Sequence, residues 1–244
     1  GFTDYLNATI DSSEVVSFSD ISSNLITYSE QFDNAAWSKT NITIAANSTT
    51  APDGTTTADS WLSTNTASGY VNVAPTVTTG QPYTFSIFAK AGDMNWFRIT
   101  NQSSGTSGGW FNLTDGTLGT SNGAGNVSTI TSVGDGWYRC ERKFISVVAG
   151  ANTVLYGLSD GDNSNSTPGS NKFIYFWGAQ IEKASVATTY LPTTSAALVG
   201  LTNVTRGVNG TTAASATSGD TVTQTPLSTG ALNMPLRLKG LSVS

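Results

Sequence analysis

Histidine is absent from this chain of 244 residues. Its absence removes the commonest general base, the usual zinc ligand and every Ser-His-Asp or Cys-His nucleophile. Cysteine occurs once, as Cys140, so no internal disulfide can form. Around it, strand alternation sets Trp137, Arg139 and Glu141 on one face and Tyr138, Cys140 and Arg142 on the other. No base stands beside Cys140 to make a thiolate, so it reads as a small buried hydrophobe. Charge is also scarce, at 11 % of residues, with a net charge of −5 and an isoelectric point near 4.5. The eleven basic residues are scattered, which argues against nucleic acid or anionic membrane as partner, since phosphates demand clustered Lys and Arg. No stretch approaches the roughly 18 apolar residues of a membrane span. The beginning, Gly1 to Ser13, has no basic segment followed by an apolar one. The expectation is a soluble protein made without a secretion signal or membrane insertion, its initiator Met trimmed from before Gly1.

Ser, Thr, Asn and Gly are abundant, whereas Glu, Lys, Gln and Arg, the good helix formers, are few. That balance favours short strands joined by polar turns. Strands are expected at Ile42–Ala46, Asp59–Ser63, Tyr70–Val73, Tyr83–Lys90, Asn95–Thr100, Gly109–Asn112, Val127–Val133, Gly136–Ser146, Thr153–Ser159 and Lys172–Glu182. Breakers such as Pro52-Asp53-Gly54, Asp115-Gly116 and Asp135-Gly136 separate them. In Tyr83–Lys90, Tyr83, Phe85, Ile87 and Ala89 alternate with Thr84, Ser86 and Phe88, as in one of two packed antiparallel sheets. The fold expected is all-β, an antiparallel sandwich of the jelly-roll kind. The only helical feature foreseen is a turn around Phe32–Trp37. Trp37, Trp61, Trp137 and Trp177 read as core.

Two phrases bracket the strand-rich region: Asn24 to Trp37 (NLITYSEQFDNAAW) and Trp177 to Thr194 (WGAQIEKASVATTYLPTT). Between them come Thr50–Trp61, Tyr83–Gly92 and Asp135–Phe144. In this order the phrases resemble a jelly-roll module of tailed-bacteriophage virion proteins, related in fold to carbohydrate-binding modules. The resemblance implies a virion location, on the exterior surface of a particle assembled in the bacterial host cytoplasm, and contact with glycans. The flanks carry a second resemblance. Leu6 to Asp20 and Leu201 to Val222 are similar to the two halves of a small phage β module, with Ala216 where that module has a histidine. The organisation expected is therefore a small base domain from residues 1–22 and 197–225, a lectin-like jelly roll at 23–196 inserted between its halves, and a tail at 226–244. Pairing of Val15–Phe18 with Thr202–Thr205 would join the halves; the alternative is two separate arms gripping neighbours.

Candidate chemistry is thin. The carboxylates mostly sit in Asp-Gly turns, where capping the turn accounts for them; Glu141 and Glu182 lie on strands and would be the pair for glycan hydrolysis. Asp160, Asp162 and Asn163 offer oxygens at the spacing of a calcium loop, against the plainer reading of a solvated turn. Aromatic faces stack on sugars while polar neighbours hold hydroxyls. Trp96 and Trp110, with Arg98, Asn101 and Gln102, form the candidate glycan platform, against ordinary packing. In the tail, Leu232, Met234, Leu236 and Leu238 alternate with a polar side that includes Arg237 and Lys239. This makes either a docking strand for another virion protein or a closing strand of the chain's own fold. The function expected is a non-enzymatic structural protein of a phage virion, fibre- or baseplate-associated, adhering to host glycan and assembled as a homo-oligomer, a trimer in the case of a fibre. A capsid decoration protein is the alternative, and a polysaccharide hydrolase the outlying one.

Overall fold

A computed structural model describes residues 20–101, 107–202, 223–225 and 237–239. The first strands are β1 (Asp20–Asn24), β2 (Ser38–Thr40), β3 (Ile42–Thr49), β4 (Ala58–Ser63), β5 (Tyr70–Val73), β6 (Thr76–Val77), β7 (Pro82–Ala91), β8 (Trp96–Asn101) and β9 (Ser107–Asn112). There follow β10 (Thr117–Ser121), β11 (Val127–Gly134), β12 (Trp137–Ile145), β13 (Gly150–Ala151), β14 (Val154–Ser159), β15 (Phe173–Glu182), β16 (Leu198–Thr202), β17 (Thr223–Thr225) and β18 (Arg237–Lys239). The chain divides into two compact units, Ser23–Val199 and a second drawn from Gly1–Ser22 with Gly200–Ser244.

The larger unit is a sandwich of two six-stranded sheets. Sheet I runs β2-β5-β14-β8-β9-β10 and sheet II runs β3-β4-β15-β7-β12-β11. The pairings within both are antiparallel. Counting the inner strands along the chain as one to eight, sheet II reads 1-8-3-6 (β4, β15, β7, β12) and sheet I reads 2-7-4-5 (β5, β14, β8, β9). That is the strand order of a jelly roll. The chain enters and leaves at neighbouring points, because β1 and β16 hydrogen-bond to each other. The expected partners Val15–Phe18 and most of Thr202–Thr205 lie outside the described residues.

Alternation builds the core as the sequence suggests. Tyr83, Phe85, Ile87 and Ala89 of β7 point inward, facing Phe97, Ile99 and Phe111 of sheet I. Phe97 and Phe176 meet edge-on across the sandwich at 5.2 Å. Trp37, Trp61, Trp137 and Trp177 are all buried, and so is Cys140. Not every buried aromatic lies between the sheets. Phe88 and Trp177 pack on the outer face of sheet II against Tyr190 of the segment that leaves β15, and Trp137 joins the same cluster, donating to the Thr50 carbonyl.

That covering segment explains the two bracketing phrases. Asn24 donates from its side chain to the carbonyls of Ala179 and Leu191 and accepts from the N–H of Ile181. Ser29 exchanges hydrogen bonds with Thr193, and Thr193 donates its hydroxyl to the Ile26 carbonyl. Gln180 holds Leu191 and Thr189, and Glu182 holds Thr188. The phrases are two halves of one clasp.

Around Phe32–Trp37 there is no helix. Successive i to i+3 bonds run Gln31 to Tyr28, Asn34 to Gln31 and Trp37 to Asn34. The Asn34 carboxamide competes by accepting from the Ala36 N–H, as short polar side chains do in turns. The short edge strands β2 and β10 were not foreseen. Their residues are largely exposed or half-buried, so no apolar alternation marks them.

Candidate functional site

Strand alternation sorts the residues of sheet I onto two faces. In β8, Phe97, Ile99 and Asn101 face the core side, whereas Trp96, Arg98 and Thr100 face outward. Register then lays out one outward row: Tyr70 on β5, Gly157 on β14, Arg98 on β8 and Trp110 on β9. The next row carries Ser159, Trp96 and Asn112.

Two glycines make the floor of this face flat. A Cβ on Gly157 would come within 2.8 Å of the Arg98 guanidinium carbon, and one on Gly108 within 2.8 Å of the Trp110 ring. The guanidinium therefore lies on bare backbone, donating to the Leu158 carbonyl at 3.2 Å and to the Ser68 hydroxyl at 2.9 Å. Burial lowers its pKa to about 10, with the Tyr70 phenol beside it acting in the opposite direction. It stays charged at neutral pH. Among the described residues no carboxylate forms an ion pair with it.

One end of the face is walled by the chain after β14. Trp110 donates its indole N–H to the Ser164 carbonyl at 2.7 Å. Ser159 holds Gly161 and Ser164, and Thr167 bonds back to Asn65 and Ala67. Trp110 and Arg98 are buried, while Tyr70, Asn72, Ser68, Trp96 and Asn112 are half-buried and present rings, hydroxyl or carboxamides at the surface.

The structure thus brings together Trp96, Trp110 and Arg98. Asn101 is buried on the opposite face of the same strand, and Gln102 lies outside the described residues. Tyr70 belongs to the face and escaped the sequence reading. Its signal was alternation with Val71, which is fully buried.

The other candidates are placed as follows. Asp162 accepts from the Thr120 N–H at 2.6 Å and from its hydroxyl at 3.0 Å, one oxygen each. Asp160 is exposed, and Asn163 has a φ of 54°. Among the described residues no three Cys, Asp or Glu groups converge as a metal site. Glu141 accepts from the Thr129 hydroxyl and pairs with Arg139 at 3.6 Å, whereas Glu182 caps Thr188. Arg237, Leu238 and Lys239 form β18, paired antiparallel with β17. Leu232, Met234 and Leu236 lie outside the described residues. Among the described residues no helix is long and apolar enough to cross a membrane.

The fold defines the class: an all-β jelly-roll sandwich with a flat polar-aromatic outer face. No family model and no curated protein matches the chain. Solved structures that resemble it are low in identity. The CBM22-1–GH10 modules of the Clostridium thermocellum N-terminal endo-1,4-β-D-xylanase 10B, complexed with xylohexaose, align over 70 % of this chain and 30 % of theirs, at 16 % identity and a TM-score of 0.41. The enzymatically active domain of bacteriophage CBA120 tailspike protein 4 aligns over 66 % of this chain and 21 % of its own, at 13 % identity and a TM-score of 0.35. The CBM22-1 xylan-binding domain of Paenibacillus barcinonensis aligns over 72 % of this chain and 100 % of its own, at 12 % identity and a TM-score of 0.35. The chain spans less than a third of the first of these and about a fifth of the second. The jelly-roll assignment rests on the strand order given above.

Proposed function

We propose that this chain is a non-enzymatic adhesion module of a tailed-phage virion, associated with fibre or baseplate, that holds host-surface glycan on the outer face of sheet I. The observation carrying the glycan part is the outward row Tyr70–Gly157–Arg98–Trp110 with Trp96 beside it. A flat floor, two half-buried rings and neighbouring Ser68, Asn72 and Asn112 side chains match the needs of a sugar: an apolar face to stack and hydroxyls to bond. Support for a role without catalysis comes from the carboxylates, whose oxygens cap turns or hold strands, as at Asp59, Asp162 and Glu182. Support for the virion setting comes from the ordered phrases from Asn24 to Thr194. The flanking unit serves as the attachment base.

The test is retention on immobilised envelope polysaccharide from candidate bacterial hosts, with Trp96→Ala and Tyr70→Ala compared with the unaltered protein. A stacked ring contributes roughly 1 kcal/mol beyond its area, so each change weakens retention by about tenfold or more with burial included. Equal retention by all three proteins, or depolymerisation of the polysaccharide, would overturn the reading.

A further inference from the structure

β11 ends sheet II. β12 lies on one side of it, and no described strand hydrogen-bonds to the other. An open edge of this kind offers its backbone N–H and C=O groups to any strand that arrives, and proteins usually blunt it with Lys, Pro or a bulge. The opposite edge of the same sheet is blunted. There β3 breaks register between Ala45 and Thr49, and Asn47 turns to a φ of 53°. β11 carries no charged residue and no proline. Its register with β12 is regular from Val127 to Ser132 and shifts at the strand's end, between Ser132 and Gly134, so Val133 lies at an irregularity while Ser128 to Ser132 do not. Val127 is 52 % exposed and Val133 44 %.

The residues of this edge read the same in both directions: Val127, Ser128, Thr129, Ile130, Thr131, Ser132, Val133. We propose that β11 pairs with β11 of a second copy of this chain, antiparallel, about a two-fold axis through Ile130. A two-fold interface requires a surface that complements itself. The palindrome supplies this at every position: Val127 meets the mate's Val133, Ser128 its Ser132, Thr129 its Thr131, and Ile130 its own equivalent. Threonine pairs and β-branched pairs are favourable across antiparallel strands, and no like charges are opposed. Leu118, 46 % exposed on the adjoining edge strand β10, adds apolar surface beside the seam. The result is one continuous sheet formed from sheet II of each copy. A seven-residue seam is smaller than the roughly 1,200 Å² of a standard stable interface, so the pair forms at high local concentration, as between copies fixed on one particle. This inference is independent of the glycan reading, since it concerns the other sheet and a different measurement.

Sedimentation equilibrium of the full chain between about 10 μM and 1 mM tests it. The expected result is a monomer–dimer equilibrium. Thr131→Lys combined with Val133→Lys places exposed ammonium groups along the edge and raises the dissociation constant at least about tenfold. Both positions are exposed, so an unchanged thermal melt checks that folding is intact. In a Thr129→Cys, Thr131→Cys variant, oxidation links 129 of one copy to 131 of the other, readable by peptide mass. A monomer throughout the range, a trimer, a dimer insensitive to the lysine pair, or disulfides in another register would each overturn the proposal.

Discussion

Asp59 should make this protein more stable in mild acid than at neutral pH. It lies on β4 and is 1 % exposed, its two carboxylate oxygens accepting the backbone N–H groups of Phe32 and Asn47 at 3.1 and 2.9 Å. Burial pushes its pKa up to about 6, with further push from the charges of Asp33 and Glu30 and opposition from the two amide bonds. The ordinary value is 3.8. The native carboxyl therefore takes its proton at a pH where the unfolded chain is still ionised. Its stabilisation is complete below the unfolded value and is lost as pH rises through about 6. Across the whole span from 3.8 to about 6 this corresponds to about 3 kcal/mol, of which the part lying between pH 5 and about 6 supplies roughly 1.4 kcal/mol. For a domain of this size, that is a melting temperature higher by about 3–6 °C at pH 5 than at pH 7.5. Glu30, half-buried and raised mainly by burial, acts in the same direction. Asp59→Asn is the control. It abolishes most of the pH effect and costs about 1–2 kcal/mol, because the carboxamide turns a donor toward one of the two amides. Thermal melts of both proteins at the two pH values decide the matter. Stability that stays level or falls from pH 7.5 to 5 in the unaltered protein would refute the reasoning.

Two further outcomes follow from the packing. Asn24→Ala breaks the clasp by removing both donors and the acceptor that hold Ala179, Leu191 and Ile181. Leaving those buried groups unpaired costs about 3 kcal/mol, measured by urea unfolding; a loss below about 1 kcal/mol would show that the clasp contributes little. Cys140 is fully buried, and its thiol is held well above the ordinary range, chiefly by burial. It should resist aromatic disulfide reagents at pH 8 in the native state and react fully in denaturant, and rapid native labelling would contradict the core as described.

Much of the sandwich was legible because alternation and punctuation agree in its inner strands. Tyr70–Val73 emerged with its bounds unchanged, and Tyr83–Lys90 grew by one residue at each end. The edges were not legible, since β2 and β10 have polar residues on both sides and turns of ordinary composition around them. The same rule could have separated Asn101 from the platform. It shares parity with Phe97 and Ile99, and a residue in step with a core face cannot join the outer one. What no parity rule reveals is which outward residues become covered. Trp177 and Trp96 both point away from the space between the sheets, yet Trp177 is sealed by Tyr190 and its neighbours while Trp96 stays half-buried. The burial of Arg142 among Ser107, Ser121 and Ser128 was equally invisible. A guanidinium surrounded by hydroxyls leaves no charge pattern in the sequence.

The phrases that made the chain recognisable fall on one side of the molecule. Thr50–Trp61, Tyr83–Gly92, Asp135–Phe144 and Trp177–Thr194 supply the four inner strands of sheet II, β4, β7, β12 and β15, together with half the clasp. The inner strands of sheet I, β5, β8, β9 and β14, contain none of them. That division has a physical cause. Sheet II must pack core on one face and the covering segment on the other, so both parities of its strands are constrained and a readable pattern results. Sheet I is constrained chiefly on its inward parity. Its outward positions, Tyr70, Trp96 and Arg98 among them, carry no covering segment like that over sheet II, so their identities are not read from strand alternation. Resemblance in these phrases therefore speaks to how the sandwich closes, and it does not reach the strands that carry the outward row of sheet I.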